Sequence, residues 1–143
     1  MRQFAQALEI RQFLMWLGPL ALLAVFWGFN APRPSAPVAE VSIAEAKSMI
    51  DAGALVVDVR SQEAYGNRHV PGAILAPLSE LRSSIPASLA SAKDKPIVVY
   101  CNDGSSTGPD GTRVLNEAGF KAAVNLKSGI EGWQRSGLSI QTR

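Results

Sequence analysis

The sequence has 143 residues, 47% hydrophobic and 18% charged, and its 14 lysines and arginines barely outnumber its 12 aspartates and glutamates. That length allows one domain plus an accessory segment, and the scattered basic residues exclude a nucleic-acid partner. One cysteine, Cys101, and one histidine, His69, exclude an internal disulfide and a Cys- or His-rich metal centre.

Between Phe13 and Phe29 no side chain is charged or strongly polar, and Trp16 and Trp27 stand near the two ends, where an aromatic belt would lie. As a helix this stretch would span roughly 26 Å, slightly less than a hydrocarbon core of about 30 Å but long for the apolar part of a signal peptide. Ala31, Ala36 and Ala39 have Phe29, Pro34 and Pro37 two positions before them, which spoils the small-x-small pattern of a signal-peptidase site. Residues 1–30 are therefore expected to be an uncleaved transmembrane anchor. Arg2, Arg11 and the terminal amine precede the span and only Arg33 follows closely, which favours a cytoplasmic amino terminus and a globular domain on the outer, periplasmic side; the alternative is the reverse orientation, with the domain on the cytoplasmic side. Residues 31–40, rich in proline, read as an extended linker.

Residues 41–143 read as the globular domain. Ser42-Ile-Ala-Glu45 is a capping box, followed by Ile43, Ala46, Met49 and Ile50 at helical spacing and a stop at Gly53. Ala54–Val59 is an apolar run broken only by Asp58, the pattern of a strand buried on both faces of a parallel sheet. A helical turn at Ser61–Tyr65, an apolar run at Ala73–Ala76, a helix over Ser79–Ile85 and a polar segment at Ala87–Lys95 follow. Ile97–Tyr100 is the next buried strand, Val114–Phe120 a helix closed by Gly119, Val124–Leu126 a short strand, Ile130–Arg135 a last helical turn or two, and Gly137–Ile140 a closing extended piece. Alternating strands and helices of this length indicate an α/β domain with a mainly parallel central sheet flanked by helices, preceded here by the anchor.

The stretch from Pro96 to Gly108 is the chemical focus. It delivers Cys101 from the end of a buried strand into a loop of glycine and hydroxyl residues that leads into a helix. Backbone N–H groups of such a loop favour an anion, so a thiolate forms there more readily than elsewhere. Cys101 is the candidate nucleophile, with Asn102, Asp103, Gly104, Ser105, Ser106 and Thr107 as the loop that would bind the sulfur. Asp58 and Arg60, at the same edge of the sheet, are expected to support the loop as an ion pair, while His69 and Trp133 are read as structural.

Taken together, Asp58-Val-Arg, Arg68-His-Val-Pro-Gly-Ala, Val99-Tyr-Cys-x-x-Gly, Glu117-Ala-Gly-Phe and Gly129-Ile-x-x-Trp-x-x-x-Gly137-Leu resemble a single-domain rhodanese over about Val41 to Ile140. The resemblance implies a sulfurtransferase whose loop cysteine takes a sulfane sulfur from a small donor as a persulfide and passes it to a thiol or protein acceptor, without metal or organic cofactor. Thiosulfate-using relatives carry a basic residue just after the cysteine and an arginine five positions on, where this chain has Asn102 and Ser106. Asp103 adds a negative charge beside the sulfur, so thiosulfate is not the expected donor. The loop is also one residue longer than usual and is similar to that of the phosphatase branch, but Thr107 stands where the arginine of a Cys-x5-Arg loop belongs. The alternative to an enzyme is a non-catalytic module of the same fold that docks a membrane or protein partner.

Overall fold

The computed structural model describes residues 36–143, within which Pro37–Arg143 form one compact unit. The expected anchor, residues 1–30, and the first half of the linker lie outside the described residues. Among the described residues no helix is long and apolar enough to cross a membrane.

Five strands, β1 (Glu40–Val41), β2 (Leu55–Asp58), β3 (Ile74–Leu75), β4 (Ile97–Tyr100) and β5 (Ala123–Leu126), form one sheet in the order β1-β5-β4-β2-β3. Every pairing in it is parallel. The helices are α1 (Ile43–Asp51), α2 (Gln62–Asn67), α3 (Leu78–Leu81), α4 (Ala87–Ala90), α5 (Thr107–Glu117) and α6 (Gly129–Arg135).

The near-continuous apolar runs follow from burial on both faces of the sheet. Successive side chains alternate: Val57, Ile97 and Val99 pack with Leu81, Leu89, Leu115 and Phe120, whereas Val56, Val98 and Tyr100 pack with Ala46, Tyr65, Ile130 and Trp133. Helices α3, α4 and α5 thus cover one face and α1, α2 and α6 the other.

The capping box at α1 is complete: the Glu45 amide donates to the Ser42 hydroxyl at 3.3 Å, and the Ser42 amide donates to the Glu45 carboxylate at 2.8 Å. Gly119 closes α5 as expected. Its amide donates to the Asn116 carbonyl at 3.1 Å and the Phe120 amide to the Leu115 carbonyl at 3.0 Å, with Leu115 and Phe120 both fully buried.

Three expectations are corrected. The helix after the cysteine loop begins at Thr107, not Val114. Pro109 falls in its first turn, where a missing N–H costs nothing. A Cβ at Gly111 would lie 2.6 Å from the Val59 side chain, so glycine there lets α5 press onto the strand beneath it. The linker is shorter than expected, because Glu40 already pairs with Asn125 in β1. The helix placed over Ser79–Ile85 is a single turn, Leu78–Leu81. Beyond Gly137 the chain runs without a regular element to Gln141, which exchanges two 2.8 Å backbone hydrogen bonds with His69.

Candidate active site

Strands β2 and β4 are in register with Asp58 opposite Tyr100, which brings Asp58, Arg60 and Cys101 to one carboxyl edge of the sheet, as the sequence pattern requires. Asp58 is fully buried and Arg60 is 7% exposed. The carboxylate accepts from the Arg60 backbone amide at 2.9 Å and from its guanidinium at 2.7 and 3.0 Å. Burial works against the Arg60 charge, but the hydrogen bond and charge of Asp58 outweigh it and raise the pKa above its ordinary value. Burial, followed by the Asp58 charge, likewise pushes the Tyr100 phenol well above its usual value, and that phenol accepts from the Val70 amide at 3.1 Å.

The guanidinium also donates to the Asn102 side-chain oxygen at 3.1 Å and to the Arg68 carbonyl at 2.6 Å. The ion pair therefore supports the loop through Asn102, the first residue after the cysteine. From the other side, the Ile130 and Glu131 amides at the start of α6 donate to the Cys101 and Asn102 carbonyls, each at 3.0 Å.

Cys101 is 1% exposed and lies under the loop. The Gly104 amide donates to its Sγ at 3.2 Å. Asp103 Oδ1 stands 3.8 Å from the same sulfur. These contacts oppose each other: the amide favours an anionic sulfur, and the carboxylate disfavours one. The Ser105 amide and hydroxyl both turn to Asp103, at 2.9 Å each, and hold its carboxyl below the ordinary range. Of the loop amides, that of Gly104 converges on the sulfur as the sequence pattern predicts, and that of Ser105 is diverted to Asp103. Ser106 precedes α5 without a side-chain capping bond, and Thr107 is already the first helical residue.

The position of Gly104 is fixed by its backbone. Its φ is +83°, and a Cβ would run into the Lys127 carbonyl. Gly104→Ala is therefore expected to cost about 2 kcal/mol and to pull the amide from the sulfur, readable as a lower urea midpoint. An unchanged midpoint would mean that the loop adapts freely.

A model of the rhodanese-like domain matches residues 42–136. The chain belongs to the rhodanese-like family. The thiosulfate sulfurtransferase GlpE of Haemophilus influenzae is 33% identical over 107 residues, covering 74% of this chain and 97% of that protein. The YibN protein of Escherichia coli K12 is 28% identical over 138 residues, 92% of this chain and 96% of its own. Among solved structures, the human single-domain sulfurtransferase superposes with a TM-score of 0.55 at 31% identity, covering 71% of this chain and 97% of its own.

Within this rhodanese-like domain, His69 is 7% exposed, with Nδ1 2.9 Å from the Tyr65 carbonyl and its ring stacked on Tyr65 at 3.9 Å, the structural role expected of it. Trp133 is 4% exposed and donates to the Ser139 carbonyl. Asn125 escaped the sequence reading. Fully buried in β5, it donates to the Gly104 carbonyl at 2.8 Å and to the Glu40 carboxylate at 2.9 Å, so it ties the sulfur loop to the sheet. Its own oxygen is buried without a hydrogen-bond partner among the described residues and faces the Gly108 backbone, where a Cβ would also lie 3.1 Å from Cys101 Sγ. The signal was available: an amide in an otherwise apolar strand, as with Asp58.

Proposed function

We propose that this protein is a membrane-anchored sulfurtransferase that carries a sulfane sulfur as a persulfide on Cys101. The observation that carries the reading is the Gly104 amide on Cys101 Sγ, in a loop held by the Asp58–Arg60 pair at the carboxyl edge of a rhodanese-like sheet. The Cys101 thiolate attacks the outer sulfur of a persulfide R–S–SH. The bond between the two donor sulfurs breaks, R–S⁻ leaves with the electron pair, and Cys101–S–SH remains. An acceptor thiolate then attacks the outer sulfur and releases the Cys101 thiolate. The Gly104 N–H stabilises the sulfur anion formed in the second step.

The donor is proposed to be an organic persulfide rather than thiosulfate. Between Cys101 and Gly111 the chain has no lysine or arginine, and Asp103 would repel a dianion at the sulfur. Full-length protein supplied with an organic persulfide and cyanide should release thiocyanate faster than the uncatalysed reaction and than Cys101→Ser, and should accelerate the reaction of thiosulfate less. No acceleration over Cys101→Ser with either donor would overturn the reading.

The anchor is proposed on the uncharged stretch Phe13–Phe29, and the outer location of the domain on the positive charges that precede it. In sealed vesicles of known orientation, protease added from the outer side should remove the domain; protection would place it on the cytoplasmic side.

A second reading, a non-catalytic module that docks a membrane or protein partner, is favoured by the burial of Cys101 to 1% exposure and by the diverted Ser105 amide. The two readings part at sulfur loading, which a docking module does not require.

A further inference from the structure

Beside the sulfur loop lies an open cavity of about 350 Å³ lined by Arg68, Glu131, Gln134 and Arg135. Two of its lining residues are joined by their backbones to the residues that hold the sulfur loop. Glu131 donates its amide to the Asn102 carbonyl, one residue after Ile130 donates to that of Cys101, each at 3.0 Å. The Arg68 carbonyl accepts at 2.6 Å from the same Arg60 guanidinium that holds the Asn102 side chain at 3.1 Å.

The charges in the cavity are unequal. Arg135 stands 3.8 Å from Glu131, one turn earlier on α6. The Arg68 guanidinium donates instead to the neutral amide oxygen of Gln134. Two arginines against one glutamate leave the cavity one positive charge in excess, and Arg68 is the cation that meets a neutral acceptor. A planar guanidinium in that setting matches a carboxylate, which it can grip with two parallel hydrogen bonds.

The loop imposes the complementary condition. Asp103, 3.8 Å from Sγ, opposes a donor whose negative charge is at the sulfur end, but not one whose charge lies several bonds away. We propose that the cavity at Arg68 is the subsite for the carboxylate of a low-molecular-weight thiol, so that sulfur reaches Cys101 on a carrier whose charge is remote from the transferred atom. The proposal rests on the persulfide reading of Cys101 and names the class of its donor.

The test compares the persulfides of mercaptohexanoate and mercaptohexanol with the full-length protein. Wild type should prefer the carboxylate in kcat/KM, and Arg68→Ala should lower that preference roughly tenfold, through KM. Arg68→Lys should restore part of it and Arg68→Glu invert it. In parallel, the S-methyl ether of mercaptohexanoate, which transfers no sulfur, is titrated while the Arg68 side-chain resonance is followed. Equal use of both persulfides by wild type and Arg68→Ala would overturn the subsite and leave the persulfide reading intact. If neither persulfide loads wild type while the ether still shifts Arg68, the persulfide reading fails and the cavity stands as a carboxylate site. Neither loading nor a shift would overturn both.

Discussion

Asp58→Ala should lower folding stability by about 3–5 kcal/mol, because it leaves the Arg60 guanidinium buried without its counter-charge. The side chains of the pair are 0% and 5% exposed, so solvent can replace little of what is lost. The effect should also reach the site, since Arg60 alone joins the ion pair to Asn102 and to the Arg68 carbonyl. Asp58→Asn, which keeps an acceptor but loses the charge, should cost less. Urea unfolding measures both. A loss below about 1 kcal/mol for Asp58→Ala would mean that water reaches Arg60, and that the pair does not hold the loop.

The sign of the linkage makes substitution, not pH, the useful probe of this pair. The Arg60 pKa is raised in the fold, so its contribution is fully present below the ordinary guanidinium value and is lost only as pH rises through the raised one. Across the physiological range it is constant. Asp103 behaves oppositely. Its carboxyl is held below the ordinary range by Ser105, so its clasp on that residue persists above the unfolded value and is released as pH falls through the folded one.

Much of the scaffold was legible because buried parallel strands leave an apolar signature and because two caps are spelled locally. Ser42 and Glu45 are three residues apart and bond as that spacing requires. Asp58 stood out as a carboxylate ending an apolar run, and it proved to be the buried partner of Arg60. What stayed hidden was set by contacts between distant segments. The two-residue strand Glu40–Val41 has no periodicity of its own and exists through its pairing with Asn125 and Leu126. The start of α5 was masked by its own composition, since Gly111 serves there as packing against Val59 rather than as a helix breaker.

The candidate site divides in the same way. The strand-loop-helix setting placed Cys101, and the order of motifs placed its supporting pair. The direction of each loop amide depended on the positive φ of Gly104 and on how closely Lys127 approaches it, neither of which is written locally. The clamp by Asn125 and the cavity at Arg68 bring together residues from separate elements, so no single stretch announces them.

Cys101→Ser should abolish sulfur carriage outright, because serine cannot form the S–S bond that holds the sulfur and no other cysteine is present to replace it. The decisive measurement is therefore the intact mass of the full-length protein after exposure to an organic persulfide and removal of the excess donor. Wild type should gain one sulfur atom, lose it again on addition of an acceptor thiol, and gain none as Cys101→Ser. A wild-type mass that stays unchanged, or an equal gain in Cys101→Ser, would contradict Cys101 as the sulfur carrier.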